Sequence, residues 1–285
     1  MADRSLRIVT ASLKRRSEDA WGVARRGDGS VSAAWVIDGA TPLGAAEPRT
    51  ANEQVSCFAW SLSSSLRDAL SAPAAELTAA VETARARAAK RLADRWPQLR
   101  HPGQMPTATL SLVRRTVAGL EVYVLGDSPL WIETDDGEPV GLEDPQFRGG
   151  EQRLIRSWHR LREQGMGARE AYDRLLEGQA AGRARRNTPD GLWILGDSPQ
   201  AAAHGHRQML PGSDPRRVCL LSDGLERAVA PFGLLGRTAL FEALHEGRAL
   251  RPIQSLRAAE RADDRRLVHP RLGVHDDITG LAAML

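Results

Sequence analysis

Cysteine is almost missing: Cys57 and Cys219 are the only two in 285 residues. Both sit inside apolar stretches, so a disulfide scaffold is out of reach. Two small buried thiols in a reducing compartment, the cytoplasm, are expected instead. Lysine is as scarce, limited to Lys14 and Lys90, and the mild net charge of +3 is carried by arginine. That excess is too small to serve as an electrostatic footprint for nucleic acid. Basic residues do gather between Arg148 and Arg186, with Arg183, Arg185 and Arg186 close together. No aromatics interleave with them for stacking on single strands, and the stretch reads as a solvated helical face. No window approaches the roughly 18 apolar residues of a membrane span, and MADRSLRIVTASLKRR lacks the apolar core of a signal peptide. Neither nucleic acid nor membrane is expected as a partner. Missing too are a G-x-S-x-G elbow, a G-x-x-x-x-G-K-[ST] loop, grouped His and Cys at zinc spacing, and a cysteine followed six positions on by arginine. Those absences remove serine hydrolase, P-loop, zinc and cysteine-phosphatase readings.

What the chain does have is a set of acids at the ends of apolar runs. They are Glu18-Asp19 in KRRSEDAWGV, Asp38 in AAWVIDGA, Asp127 in VYVLGDSPLWI, Asp223 in VCLLSDGL and Asp276-Asp277 in VHDDITGLAAML. Apolar runs of this length read as buried or half-buried strands. A carboxylate at such an end lies on the rim of a core, where a lone charge is costly. Five such groups meeting at one place repel one another unless a cation neutralises them. A hard divalent ion with oxygen ligands is the chemical solution. In Asp38-Gly39 and Asp223-Gly224, glycine is expected to let the backbone turn just after the strand and expose a carbonyl beside the carboxylate.

The order of elements points to an α+β fold. Strands are expected at 6–13, 20–26 and 31–37, then helices at about 50–70 and 74–96 with Pro73 between them. Pro97, Pro102, Gly103 and Pro106 mark a loop. TATLSLVRRT and LEVYVLGDSPLWIET read as a hairpin about Gly119, and 151–180 as arginine-rich helix. GLWILGDS, the stretch around Gln208, RRVCLLSD and ITGLAAML read as strands, and 231–247 and 251–265 as helices. Strand runs and helix runs are segregated, which argues for mostly antiparallel sheets. The pentapeptide LGDSP occurs at 125–129 and again at 195–199; a five-residue echo is too short for a structural repeat, and only the first copy is expected to serve the site.

Six motifs in order, KRRSEDA, AAWVIDGA, PTATLSLV, VYVLGDSPLWI, CLLSDGLERAV and HDDITGLAAML, resemble those of the metal-dependent protein phosphatases of type 2C in a compact bacterial form. The resemblance covers residues 6–285. It implies a β-sandwich of two mostly antiparallel sheets flanked by helices, an α/β/β/α arrangement, in one domain spanning 1–285 with a variable arginine-rich flap at about 145–187. It implies a serine/threonine phosphoprotein phosphatase using Mn2+ or Mg2+, two ions and a third position. The substrates would be phosphorylated proteins, and a cognate Ser/Thr kinase a partner. Carried over, Asp38 bridges the two ions and the Gly39 carbonyl binds one. Asp223 and Asp276 hold the other ion, Glu18 acts through water, and Asp127 fits the third position. Asp19 and Asp277 orient these ligands. Hydrolysis would proceed by a metal-activated water with no covalent enzyme intermediate.

The chain departs from the pattern at four places, the mildest being Pro106 in place of a glycine before the threonine segment. Lys14 stands where the family has an arginine, keeping a point charge but not the bidentate fork. Arg16 is expected to share its strand face with Lys14 and Glu18 and so to assist with the phosphate. Ala40 replaces a histidine that is a candidate proton donor; His275 is read as a neighbour of the site rather than its substitute. Arg227 replaces an acid and weakens the case for a third ion. These departures motivate an alternative, a weakly active or inactive phosphatase-like regulatory module that binds a phosphoprotein or kinase.

Overall fold

The computed structural model describes residues 6–41, 47–71, 76–100, 104–212, 214 and 216–285. Three strands open the chain: β1 (Leu6–Ala11), β2 (Ala20–Arg25) and β3 (Val31–Ala40). Two long helices follow, α1 (Pro48–Leu70) and α2 (Leu77–Arg95). Next come β4 (Thr107–Thr116), β5 (Gly119–Leu125), β6 (Leu130–Glu133) and β7 (Pro139–Leu142). Helices α3 (Gly150–Glu163) and α4 (Ala168–Ala184) precede β8 (His206–Pro211) and β9 (Arg217–Leu221). The chain ends with α5 (Asp223–Glu226), α6 (Arg237–His245), α7 (Leu250–Ala262) and β10 (Ile278–Met284). Pro73, Pro102 and Gly103 lie outside the described residues.

The strands form two five-stranded antiparallel sheets, ordered β1-β10-β9-β6-β7 and β2-β3-β4-β5-β8. Side chains alternate across a strand, and here both faces of each sheet are covered. Ala34 and Val36 of β3 point inward and pack with Val113, Val122, Leu220 and Leu281 between the sheets. Trp35 and Ile37 point outward, against Phe58, Leu62 and Val81 of α1 and α2. On the other sheet, Trp131, Cys219 and Ile278 meet Phe241, Leu244, Ile253 and Leu256 of α6 and α7. The result is helices, sheet, sheet, helices, with each fully buried Leu, Ile or Phe contributing roughly 1.5–3 kcal/mol. Double coverage is also why the strands read as near-continuous apolar runs.

Three local expectations are corrected. GLWILGDS is not a strand: only Leu195 forms a bridge, to Ala108. Side chains take the neighbouring backbone amides instead, Gln146 Oε1 accepting from Trp193 N and Asn187 Oδ1 from Ile194 N. The helix expected from 231 begins at Arg237, because Gly233 takes φ of 58°, outside the helical range. The first strand stops at Ala11, and residues 13–16 are bends, so strand alternation does not govern Lys14 and Arg16.

Candidate active site

The acids collect at one end of the sandwich, at the ends of β3, β5, β9 and β10 and at the segment entering β2. The two Asp-Gly pairs show how tightly this end is built. A Cβ on Gly39 would lie 2.6 Å from the Glu18 backbone oxygen, and one on Gly224 would lie 1.9 Å from the Asp277 backbone oxygen. Glycine is therefore needed at both positions because the partner acidic segment presses against it. The expectation of a sharp turn at Gly39 is corrected: β3 runs on through it, Gly39 pairing with Ala108 and Ala40 with Thr107.

Asp38, Asp127, Asp223 and Asp276 face one another closely enough to interact. The Asp38 carboxyl is held well above the ordinary carboxylate range, first by burial and then by Asp19, Asp223, Asp276 and Asp127. Asp223 is raised by burial and Asp276. Asp127 is pushed up to about 7 by burial and Asp223, and Asp19 to about 8 by burial and Asp277. Asp38, Asp127 and Asp223 each keep a face open to solvent, Asp127 the widest; the crowd of protein atoms on their other sides disfavours charge. Asp19, expected only to orient, is the largest charged influence on Asp38.

Two cations sit against part of this set. Lys14 Nζ lies 2.8 Å from Glu18, 3.2 Å from Asp277 and 3.7 Å from Asp276. Burial works against its charge, but Asp276, Glu18 and Asp277 outweigh it and raise its pKa. Arg227 Nη2 donates to Asp276 Oδ2 at 2.8 Å and Nη1 lies 3.7 Å from the fully buried Glu260. Glu260 also accepts from Arg257 Nη1 at 2.7 Å and lies 2.9 Å from His275 Nδ1. His275 is thus engaged with α7. Arg16 is exposed and makes no ion pair with the acids among the described residues, although its carbonyl accepts from Asn52 Nδ2.

Several positioning groups had no sequence signal. Glu18 accepts from Thr41 Oγ1 at 2.6 Å and Asn52 Nδ2 at 2.9 Å, and Asp277 Oδ2 accepts from Glu18 N at 2.8 Å. The turn carrying Asp127 is fixed by the buried Asp144, whose Oδ2 accepts from Gly126 N at 3.0 Å. Thr109 and Ser128 hydroxyls pair across it at 2.5 Å. The second LGDSP copy is a packing device, its Gly196 and Asp197 carbonyls accepting from Arg85 Nη1. The arginine-rich face expected to be solvated is corrected at two positions. Arg183 and Arg186 are half-buried beside Asp127, donating to Thr41 O at 2.8 Å and Thr107 Oγ1 at 3.1 Å.

The donor set suits a hard divalent cation. Every group is an oxygen donor, and Asp19 Oδ2 and Asp277 Oδ1 are buried with no hydrogen-bond partner among the described residues. Among those residues no three His, Cys, Asp or Glu side chains already close into a cage. Lys14 and Arg227 pair with Glu18, Asp277 and Asp276 of this set.

No protein-family model matches the chain, and no curated protein does. Solved structures do. The serine/threonine phosphatase PstP of Mycobacterium tuberculosis is 18% identical, with a TM-score of 0.55 over 98% of both chains. The PstP catalytic domain in complex with two manganese ions is 18% identical, with a TM-score of 0.52 over 98% of both. The PPM Ser-Thr phosphatase MsPP of Mycobacterium smegmatis is 20% identical, with a TM-score of 0.51 over 98% of this chain and 97% of that one. Two antiparallel five-stranded sheets between helices, with the acids gathered at one end, make this the fold of the bacterial PPM-type serine/threonine phosphatases.

Proposed function

We propose that the chain is a Mn2+- or Mg2+-dependent phosphatase that removes phosphate from serine and threonine residues of proteins. The observation that carries this reading is the mutual proximity of Asp38, Asp223 and Asp276, drawn from three distant stretches of sequence, with the Glu18 segment pressed against Gly39 and the Asp276-Asp277 segment against Gly224. Asp38, the Gly39 carbonyl, Asp223 and Asp276 would hold two ions, with Glu18 supporting them and Asp127 available to a third. When bound, the ions supply an activated water and neutralise phosphoryl oxygens.

The protein's own groups do the rest. Asn52 and Thr41 fix the Glu18 carboxylate by two short hydrogen bonds. Asp277 ties the Glu18 backbone to β10. Arg227 orients Asp276 and links it through Glu260 to α7. Ala40 has no proton to offer the leaving group, and His275 Nδ1 lies 2.9 Å from Glu260. We read residues 1–285 as one catalytic unit with 145–187 as a flap, working in the cytoplasm opposite a Ser/Thr kinase. Both cysteines are free thiols, consistent with a reducing compartment, and no helix of the described residues is long and apolar enough to cross a membrane.

The test is hydrolysis of p-nitrophenyl phosphate and a phosphothreonine peptide by purified protein with Mn2+. EDTA and Asp38→Ala each abolish it on this reading; activity that survives either one rules the mechanism out. A second reading, a regulatory module of little activity, is favoured by the ion pairs that Lys14 and Arg227 already make with the acids. On that reading Mn2+ binds weakly, and binding of a phosphoprotein survives Asp223→Asn.

A further inference from the structure

In the resemblance on which the proposed function rests, a cation at position 14 receives the phosphate. Here that cation is committed elsewhere. Lys14 Nζ has three carboxylates within 4 Å, those of Glu18, Asp277 and Asp276, and a point charge shared among three anions has little field left for a fourth. Arg16 stays exposed and makes no ion pair with the acids among the described residues. Beyond the charge that bound ions would supply, a phosphomonoester approaching this acidic end needs a protein cation from somewhere else.

The C-terminal end of α4 supplies it. Arg183 lies in the last turn of α4 and Arg186 just beyond it. Their Nη1 atoms are pinned by neutral acceptors, the Thr41 carbonyl and the Thr107 hydroxyl. Thr107 pairs with Ala40 on the adjacent strand, two residues past Asp38, and Thr41 follows Ala40 directly. Both guanidiniums are thus anchored at the same strand ends that carry the acids, and Asp127 is their nearest charged influence among the carboxylates. Neither has a carboxylate within 4.0 Å among the described residues, whereas other half-buried arginines such as Arg114 and Arg217 do. Arg183 Nε is buried with no partner among those residues. Arg186 is brought down to about 10 by burial and then by Arg183, so the two positive groups are close enough to repel. Two like charges held side by side, half-desolvated and short of an anion, form a fork suited to a dianion.

We infer that Arg183 and Arg186 form the phosphate-binding pair of this chain, taking over the part of the cation at position 14 and gripping the phosphoryl oxygens of a phosphoserine or phosphothreonine substrate. The pair also confers specificity. Because both arginines belong to the α3–α4 segment, the bound phosphopeptide runs beneath that segment, and its docking depends on α4 staying in place.

The test compares wild type, Arg183→Gln, Arg186→Lys, the Arg183→Gln/Arg186→Gln double variant and Lys14→Gln, all with Mn2+. Inorganic phosphate is titrated calorimetrically, and KM and kcat are measured with a phosphothreonine peptide. Each lost charged hydrogen-bond donor is expected to weaken phosphate binding roughly tenfold to a hundredfold, as a rise in KM larger than the fall in kcat. Arg186→Lys is expected to recover only part of the loss, since lysine lacks the fork, and Lys14→Gln to change phosphate affinity less than threefold. Mn2+ stoichiometry stays at the wild-type value in the arginine variants, which separates this claim from the metal site. The inference is overturned if the double variant binds phosphate as wild type does while Lys14→Gln loses it. A wild type that binds phosphate but hydrolyses nothing refutes the proposed function and leaves the arginine pair supported. A wild type that hydrolyses the peptide but binds no phosphate overturns the inference and leaves the proposed function standing.

Discussion

Gly224→Ala isolates the physical logic of this fold, because two opposing effects act on it and the structure says which wins. In an ordinary helix, replacing glycine by alanine stabilises by roughly 0.4–1 kcal/mol, through helix propensity and a less flexible unfolded chain. At position 224 the new Cβ would stand 1.9 Å from the Asp277 backbone oxygen and 3.2 Å from Asp276 Cβ. Real Cβ contacts do not fall under 3.0 Å, so backbone must move by about 1 Å. Overpacking of this kind costs about 1–3 kcal/mol, which exceeds the helical gain, and the variant is expected to unfold at lower urea concentration. The movement also separates Asp276-Asp277 from Asp223, so Mn2+ affinity should fall with stability. Gly178→Ala in α4 is the matched control. A Cβ there would meet nothing within 4 Å, and a gain of roughly 0.4–1 kcal/mol with unchanged Mn2+ binding is expected. Urea unfolding and calorimetric Mn2+ titration of the two variants read both quantities. A Gly224→Ala protein as stable as wild type, with the same Mn2+ affinity, would show that the acidic segments are not pressed together as described.

Three further outcomes are expected. Asp19 and Asp127 keep their protons to about pH 8 and about pH 7 in the folded protein, well above the ordinary carboxylate value of 3.8. Between those values the unfolded chain has lost protons that the native state retains, so metal-free stability falls as pH rises from 5 to 8, by roughly 2–4 kcal/mol and mostly through the closed-in Asp19. Mn2+ should flatten that slope, as urea unfolding at both pH values will show; a metal-free protein more stable at pH 8 than at pH 5 would contradict the assignment. Lys14→Gln removes a cation that competes for Glu18, Asp277 and Asp276, and Mn2+ should bind it roughly three- to tenfold more tightly by calorimetry. Ser63→Ala strips the buried Trp35 indole of its 2.9 Å acceptor, and urea denaturation should register a loss of about 1–3 kcal/mol with Mn2+ binding intact.

Much of this architecture is written in the order of residues. The strand at 31–40 reads as a near-continuous apolar run because Trp35 and Ile37 meet helices while Ala34 and Val36 meet the other sheet. The five acidic positions stand out because a carboxylate at the end of such a run has no cheap place to go. The segment 191–198 misleads because its apolar residues pack without a partner strand, its backbone amides being taken by Gln146 and Asn187 from elsewhere in the chain. Gly39 looks like a turn residue, yet it answers to the Glu18 backbone, a neighbour only in three dimensions. Asp144 steadies the Asp127 turn from 18 residues away and has no motif. Arg183 and Arg186 were hidden for a related reason. Among so many arginines, composition cannot tell which side chains point at solvent and which are folded back over a site.

The most direct measurement of the central claim is the number of Mn2+ ions bound per chain by wild type and by Asp38→Asn, followed alongside phosphothreonine hydrolysis in the same titration. Two ions are expected in wild type, with binding lost at both positions when the shared carboxylate is neutralised and hydrolysis lost in step with it. Unchanged Mn2+ stoichiometry and turnover in Asp38→Asn would mean that the gathered acids are not the seat of the chemistry.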